Sequence, residues 1–343
     1  MSTILLVLLA VLTAVVVVLI AGYLLSLDFN RQHRRETEAL PRVSRDEVAA
    51  ADGLVQIDAN GHVFRARVRG LDNDGDGVIL LHGWPQSSIA WESLSDAAAS
   101  DGFRVAAVDQ RGYSPGARPP DVLDYSIKYL VDDVLAIADA LGFERFHLAG
   151  HDWGAAVGWG LVMTHPERVI SWSALSIPHS VSFVEAVKKD PVQRRKSAYI
   201  LFLRIRRLAE ATLGWGRLSV FRRVMYRFMP VEHAAEYQKM FLEPGALAAI
   251  LNWYRAMGKG PSLNATPGIG LPVLFVWGNR DPAVSRAAVE GQARFMLGPY
   301  SYVELDAGHW LLEHREDEVI TAVLEHLREN AAGALAEWRT EAS

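Results

Sequence analysis

The segment that most constrains this chain is Gly150-His151-Asp152-Trp153-Gly154. It follows a short apolar run, residues 146–150, and opens a stretch with helical character. Two small residues flanking x-nucleophile-x between a strand and a helix form the signature of a nucleophile elbow. The glycines are required because the turn is sharp and its central residue strained; a side chain at Gly150 or Gly154 would meet the strand or the helix. The central slot holds an aspartate, Asp152. The competing reading is that Asp152 simply caps the following helix.

Around this turn, short apolar runs alternate with helical stretches, which predicts a mostly parallel sheet covered by helices. Residues 54–58 and 62–68, joined at Asn60-Gly61, predict an antiparallel hairpin that opens the sheet. The runs at residues 77–81, 104–109, 146–150, 169–176, 272–277 and 301–305 are apolar and bounded by Gly, Asp or Pro, as buried parallel strands are. Helices are expected between them, among others at residues 129–141 and 313–330. Between residues 176 and 272 the rhythm breaks, and the interval shows helical periodicity without a strand. Loops that long are rarely structureless. The expectation is a helical lid, residues 177–271, inserted after the sixth strand of a core formed by residues 52–176 and 272–343.

Two more residues complete a triad in the order nucleophile, acid, histidine. Trp277-Gly278-Asn279-Arg280-Asp281 puts Asp281 just past one expected strand, and Ala307-Gly308-His309 puts His309 just past the next. Strand ends on one sheet edge converge in space, however far apart in sequence. Asp281 before Pro282 also suits a plain turn, and an isolated His is more often surface or core than catalytic. Its place after the last strand sets His309 apart. His82-Gly83-Trp84-Pro85 follows residues 77–81 and has the form of an oxyanion-hole loop, with the Trp84 and Trp153 backbone N–H groups as donors. The plain alternative is a Gly-Trp-Pro turn.

Taken together, His82-Gly83-Trp84-Pro85, Asp109-Gln110-Arg111-Gly112-Tyr113, Gly150-His151-Asp152-Trp153-Gly154 and Gly308-His309-Trp310 resemble the epoxide hydrolases of the α/β-hydrolase superfamily. Haloalkane dehalogenases share most of these motifs. The lid discriminates, because an epoxide oxygen leaves as a basic alkoxide that needs a proton, whereas a halide does not. Lys196-Ser197-Ala198-Tyr199-Ile200-Leu201-Phe202 is similar to the segment that carries the first lid tyrosine of epoxide hydrolases, and Asn252-Trp253-Tyr254-Arg255 to the second. Tyr226 lies outside any matching motif and reads as structural.

The resemblance implies an α/β-hydrolase fold and a two-step reaction on a small lipophilic epoxide. Asp152 attacks an epoxide carbon while Tyr199 and Tyr254 protonate the oxygen. Water activated by His309, supported by Asp281, then hydrolyses the ester to a diol. The alternatives are a haloalkane dehalogenase using the same Asp152 and a non-catalytic ligand-binding protein, which would have no need of Asp152, Asp281 and His309 together. No metal or organic cofactor is implied: P-loop and dinucleotide fingerprints are absent from the sequence. With no cysteine, disulfides, thiolate catalysis and Cys-ligated metals are excluded. A net charge of −5 gives no sign of a nucleic-acid partner.

Residues 1–27 read differently from the rest. The run at residues 4–25 is apolar and uncharged, which at about 1.5 Å per residue spans a bilayer core. A cleaved signal peptide would need a charged start and a shorter apolar run, so a retained single-pass anchor is expected, followed by a polar stalk at residues 28–51. Arg31, Arg34, Arg35, Arg42 and Arg45 follow it and place the catalytic domain in the cytoplasm by the positive-inside bias. Residues 185–228 of the lid carry twelve Lys or Arg against three acids. Phe202, Leu213, Trp215 and Phe221 interleave with that charge, which suits either an interface-seeking surface or a solvated basic face whose apolar residues pack inward.

Overall fold

The computed structural model describes residues 39–43, 51–261 and 265–331, and a sheet of nine strands lies at its centre. In chain order the strands are β1 (Arg42–Val43), β2 (Gly53–Ala59), β3 (His62–Arg69), β4 (Gly77–Leu81), β5 (Arg104–Val108), β6 (Phe146–His151), β7 (Val169–Leu175), β8 (Val273–Gly278) and β9 (Tyr300–Leu305). They lie side by side as β1-β2-β3-β5-β4-β6-β7-β8-β9. β3 is antiparallel to both neighbours, and every other adjacent pair is parallel.

The opening hairpin pairs Ala59 with His62 across Asn60 and Gly61, both at positive φ (49° and 73°), the primed turn that matches strand twist. β1 was not expected. It lies in the segment read as a stalk and pairs Arg42 with Gln56 and Val43 with Ile57, so the lid follows the seventh strand of the sheet rather than the sixth. Residues 1–27, read as an anchor, lie outside the described residues. Among the described residues no helix is long and apolar enough to cross a membrane.

β4, β6 and β8 are buried at every position, because helices cover a parallel sheet on both faces. β9 differs from the buried strand expected there. It lies at the sheet edge, and its alternating Tyr-Ser-Tyr-Val-Glu-Leu leaves much of it accessible. Four core helices do most of the covering: α1 (Glu92–Ser100), α2 (Ile127–Ala140), α3 (Trp153–Thr164) and, at the C-terminal end, α12 (Glu316–Glu329). α1 packs against α12, and α2 against α3. The helix expected at residues 313–330 is two, Leu311–His314 (α11) and α12, broken at Arg315, whose φ and ψ of −142° and 44° leave the helical region.

Among the described residues between β7 and β8 the chain forms six α-helices, α4 (Ser180–Lys189), α5 (Pro191–Lys196), α6 (Tyr199–Leu203), α7 (Leu208–Val224), α8 (Val231–Phe241) and α9 (Ala246–Ala256), and α10 (Arg286–Glu290) follows β8. The start of α5 is locally encoded. Pro191 occupies its first turn, and the Asp190 carboxylate accepts from the Val192 and Gln193 amides. Buried charges tie these helices to the core. Arg65 pairs with Asp109 and Glu243, Arg118 with Glu243, and Arg67 with Glu236, which also accepts from Ser87 Oγ at 2.8 Å. The Trp253 indole donates to the Arg111 carbonyl at 2.8 Å. Of the four apolar residues interleaved with the basic charge, Leu213 and Phe221 are buried, Phe202 is half-buried, and Trp215 alone stays out at 76 % exposed. Most of that set packs inward.

α3 has no polar face, since nine of its twelve residues are buried. It approaches β7 closely at Gly158, where an added Cβ would sit 2.0 Å from the Trp172 ring. Gly158→Ala is therefore expected to lower unfolding stability by about 1–3 kcal/mol, the usual cost of overpacking. Urea denaturation followed by tryptophan fluorescence measures it.

Candidate active site

The elbow is built by backbone strain over two close approaches. Asp152 sits at φ 51° and ψ −116°, between the end of β6 and the first residue of α3. A non-glycine residue there costs on the order of 1–3 kcal/mol and persists only where its surroundings enforce it. They do so tightly. A Cβ on Gly154 would meet the Leu81 carbonyl oxygen at 2.0 Å, and one on Gly150 would meet the Gly154 carbonyl at 2.6 Å. Gly83, in the facing loop, would meet Asp152 Cβ at 2.4 Å. The helix-cap reading fails here, since the Asp152 side chain makes no cap hydrogen bond.

Each oxygen of the Asp152 carboxylate has one partner. Oδ1 accepts from the Trp84 backbone N–H at 2.9 Å, and Oδ2 lies 3.3 Å from His309 Nε2. His309 Nδ1 lies 2.8 Å from Asp281 Oδ2, which also accepts from Ser176 Oγ. The other Asp281 oxygen accepts from the Ala283 and Val284 amides at 2.6 and 3.1 Å. Asp152, Asp281 and His309 are 6 %, 0 % and 6 % exposed. The three residues read as a triad from their strand ends are thus in register. The Trp153 amide, expected to act beside Trp84, makes no hydrogen bond to this carboxylate; it lies in the first turn of α3.

Electrostatics follow from that sandwich. Burial opposes a charge on His309, but Asp281 and Asp152 outweigh it and raise the imidazole pKa to about 10. Burial likewise opposes both carboxylates, yet contact with His309 holds each below its ordinary range. The resting site is therefore carboxylate–imidazolium–carboxylate. His151 contrasts with it. Burial and the His309 charge push its pKa down to about 4, so its neutral ring donates to one acceptor at a time, Gln86 Oε1 at 2.8 Å or the His309 carbonyl at 2.9 Å.

Two residues that sequence reasoning passed over stabilise the arrangement. Ser176, at the end of β7 with φ 74°, touches both Asp281 and His309 Nδ1, the latter at 2.9 Å. Gln86 lies one residue past the His82 motif; its amide donates to Glu313 Oε1 at 2.7 Å, which also accepts from Tyr237. Ser176 carries no sequence signal beyond its strand-end position, whereas Gln86 could have been found by extending the motif by one. His82 is fully buried and edge-on to Tyr113 at 4.4 Å, and its carbonyl accepts from Gln110 Nε2 at 2.6 Å. The Trp84–Pro85 peptide is cis, and the Pro85 carbonyl accepts from Tyr226 at 3.3 Å, a packing role for that lid tyrosine.

Above Asp152 is an apolar cavity of about 280 Å³, whose walls include Trp84, Asp152, Tyr199, Phe202, Tyr254 and His309. Tyr254 is 2 % exposed and is fixed by edge contacts with Trp153 and Trp84 at 5.1 and 5.9 Å. Its ring centre is 6.3 Å from that of Tyr199. Tyr199 is 40 % exposed, unlike Tyr254, but local desolvation, and after it neighbouring charge that includes Asp152, raises the pKa of both, and as ordinary phenols both are neutral O–H donors near neutral pH in any case.

A strained aspartate elbow on this sheet, with its acid and histidine on the following strand ends, defines an α/β-hydrolase; residues 77–316 match the family model described as alpha/beta hydrolase fold. Epoxide hydrolase A of Mycobacterium tuberculosis (strain ATCC 25618 / H37Rv) is 31 % identical, covering 79 % of this chain and 96 % of that protein. The crystal structure of epoxide hydrolase A from Mycobacterium thermoresistibile is 26 % identical with a TM-score of 0.68, covering 81 % of this chain and 98 % of that one. A mutant epoxide hydrolase from Bacillus megaterium, complexed with its product (R)-3-[1]naphthyloxy-propane-1,2-diol, shares the fold with a TM-score of 0.72 at 23 % identity, covering 80 % and 99 %. This chain belongs to the epoxide hydrolase family of the α/β-hydrolase superfamily, and it is a hydrolase.

The sandwich makes a sign prediction. Asp152→Asn removes one of the two charges that raise the His309 pKa, so that pKa should fall from about 10 toward neutrality. NMR titration of the imidazole measures it; an unchanged value would mean that Asp152 does not hold the charge on His309.

Proposed function

We propose that this chain opens a small lipophilic epoxide to a vicinal diol through a covalent ester on Asp152. The observation that carries this reading is the carboxylate itself, one oxygen on the Trp84 amide and the other on His309, facing two neutral tyrosines across an apolar cavity. An Asp152 oxygen attacks an epoxide carbon as the C–O bond breaks, and the alkoxide takes a proton from Tyr199 or Tyr254. Esterification abolishes the Asp152 charge. The His309 pKa then falls, and the proton it sheds restores the tyrosine.

Neutral His309, still oriented by Asp281 and Ser176, takes a proton from water as that water adds to the ester carbonyl. The Trp84 amide, with the Trp153 amide as second donor, holds the oxyanion; such donors are worth roughly 2.7–4 kcal/mol each. Collapse breaks the bond to the alkyl oxygen, which takes the added water's remaining proton from the nascent acid, so the diol leaves and Asp152 is ionised beside protonated His309. The proton inventory closes: epoxide and water enter, diol leaves, and the resting site is restored. We further propose that residues 1–27 anchor the domain to a membrane with the catalytic part on the cytoplasmic side, which protease protection in sealed vesicles tests.

His309→Gln should stall after the first step, so a protein-plus-substrate mass reads alkylation alone. In that background Tyr199→Phe and Tyr254→Phe should each slow adduct formation. The double substitution should slow it by about 10²–10⁴-fold, the usual contribution of general acid catalysis. Unchanged adduct formation in the double variant would remove the reason to prefer an epoxide to a haloalkane.

A further inference from the structure

A second cavity of about 320 Å³, distinct from the active-site cavity, is lined by Val122, Leu123, Arg204, Arg206, Arg255 and Lys259. Their lining residues are sequence neighbours at two of the lid helices, α6 and α9. Leu203 and Tyr254 line the first, and the next residues, Arg204 and Arg255, line the second. Four cationic side chains therefore border one space, and none of its lining residues is acidic.

Packing accounts for one of the four. Arg255 is 5 % exposed, pairs with Glu210 at 2.7 Å and donates to Asn252 Oδ1 at 3.1 Å, yet its Nε–H has no partner. Arg204, Arg206 and Lys259 make no side-chain hydrogen bond or ion pair with a described residue. Glu210 thus compensates one charge and leaves three. Like charges around one cavity repel each other, and a cleft of one sign with low-dielectric walls concentrates the opposite ion. Guanidinium groups suit planar or tetrahedral oxyanions because they can donate in pairs. Val122 and Leu123 add an apolar side, Leu123 being 45 % exposed. The volume is at the lower end of small-ligand sites, about 300–1,000 Å³.

We propose that this cavity binds an oxyanion, a phosphate or carboxylate carried by a small amphipathic molecule. The site is separate from Asp152, and its existence does not depend on the epoxide reading.

Calorimetric titration of the full chain in non-ionic detergent tests it, with inorganic phosphate, hexanoate and dihexanoyl phosphatidate as probes. At least one should bind once per chain, more weakly as salt rises, and at least tenfold more weakly to the Arg204→Gln/Arg206→Gln variant at an unchanged melting temperature. Phosphate binding as tightly as phosphatidate identifies a free anion as the ligand; phosphatidate binding alone identifies a lipid headgroup. Should the double variant fail to fold, Lys259→Gln, at an exposed position, should still weaken binding threefold or more. No binding by any probe, or binding indifferent to these substitutions, overturns the proposal.

Discussion

A buried imidazolium between two carboxylates is the interaction on which the rest of this structure depends. His309 reaches Asp281 with one ring nitrogen and Asp152 with the other, and all three side chains are almost fully enclosed. Removing one charge from such a set leaves the others unbalanced in a low dielectric. The surroundings are accordingly specific. Two amides and a serine hold Asp281, the Trp84 amide holds Asp152, and the His151 ring donates either to the His309 carbonyl or to Gln86, whose side-chain oxygen accepts from the Gly83 amide. The same imbalance supplies the chemistry proposed here, because esterifying Asp152 changes His309 from a stored proton into a base without moving either residue.

The strained elbow sets the geometry of that interaction. Asp152 points into the cavity because its backbone is held at positive φ, and glycine at positions 83, 150 and 154 lets β4, β6 and α3 close around it. The lid completes the site from the opposite side through Tyr199 and Tyr254. It is fastened to the core by Glu236, Glu243 and Trp253, which reach Arg67, Arg65 and the Arg111 carbonyl. The Asp109-Gln110-Arg111 run, known at first only as part of a motif, proves structural. Asp109 accepts from Arg65 and the Ser88 amide, Gln110 holds the His82 carbonyl, and Arg111 forks onto Asp133.

Much of this was legible in the sequence, for identifiable reasons. Turn chemistry is local, so Asn60-Gly61 and the two elbow glycines announce themselves, and strand ends after glycine-bounded apolar runs place Asp281 and His309. What was missed depends on context. β1 is too short to show periodicity, and the exposure of β9 follows from its place at the edge. The break at Arg315 sits inside a pattern that reads as one continuous helix. The inward packing of Leu213 and Phe221 depends on which lid face meets the core, which alternating basic and apolar residues do not specify. Ser176 is a common residue type at an ordinary strand end, and only three-dimensional proximity reveals its contacts with Asp281 and His309.

The covalent route makes Asp152 the oxygen source for the first diol. Single-turnover hydrolysis with enzyme in excess, run in ¹⁸O-water and read by mass spectrometry of the diol, tests this most directly. The new hydroxyl oxygen should come from the Asp152 carboxylate, leaving the first diol unlabelled and the label on the protein. Full incorporation of ¹⁸O into that first diol would mean direct attack by water and would contradict the covalent route.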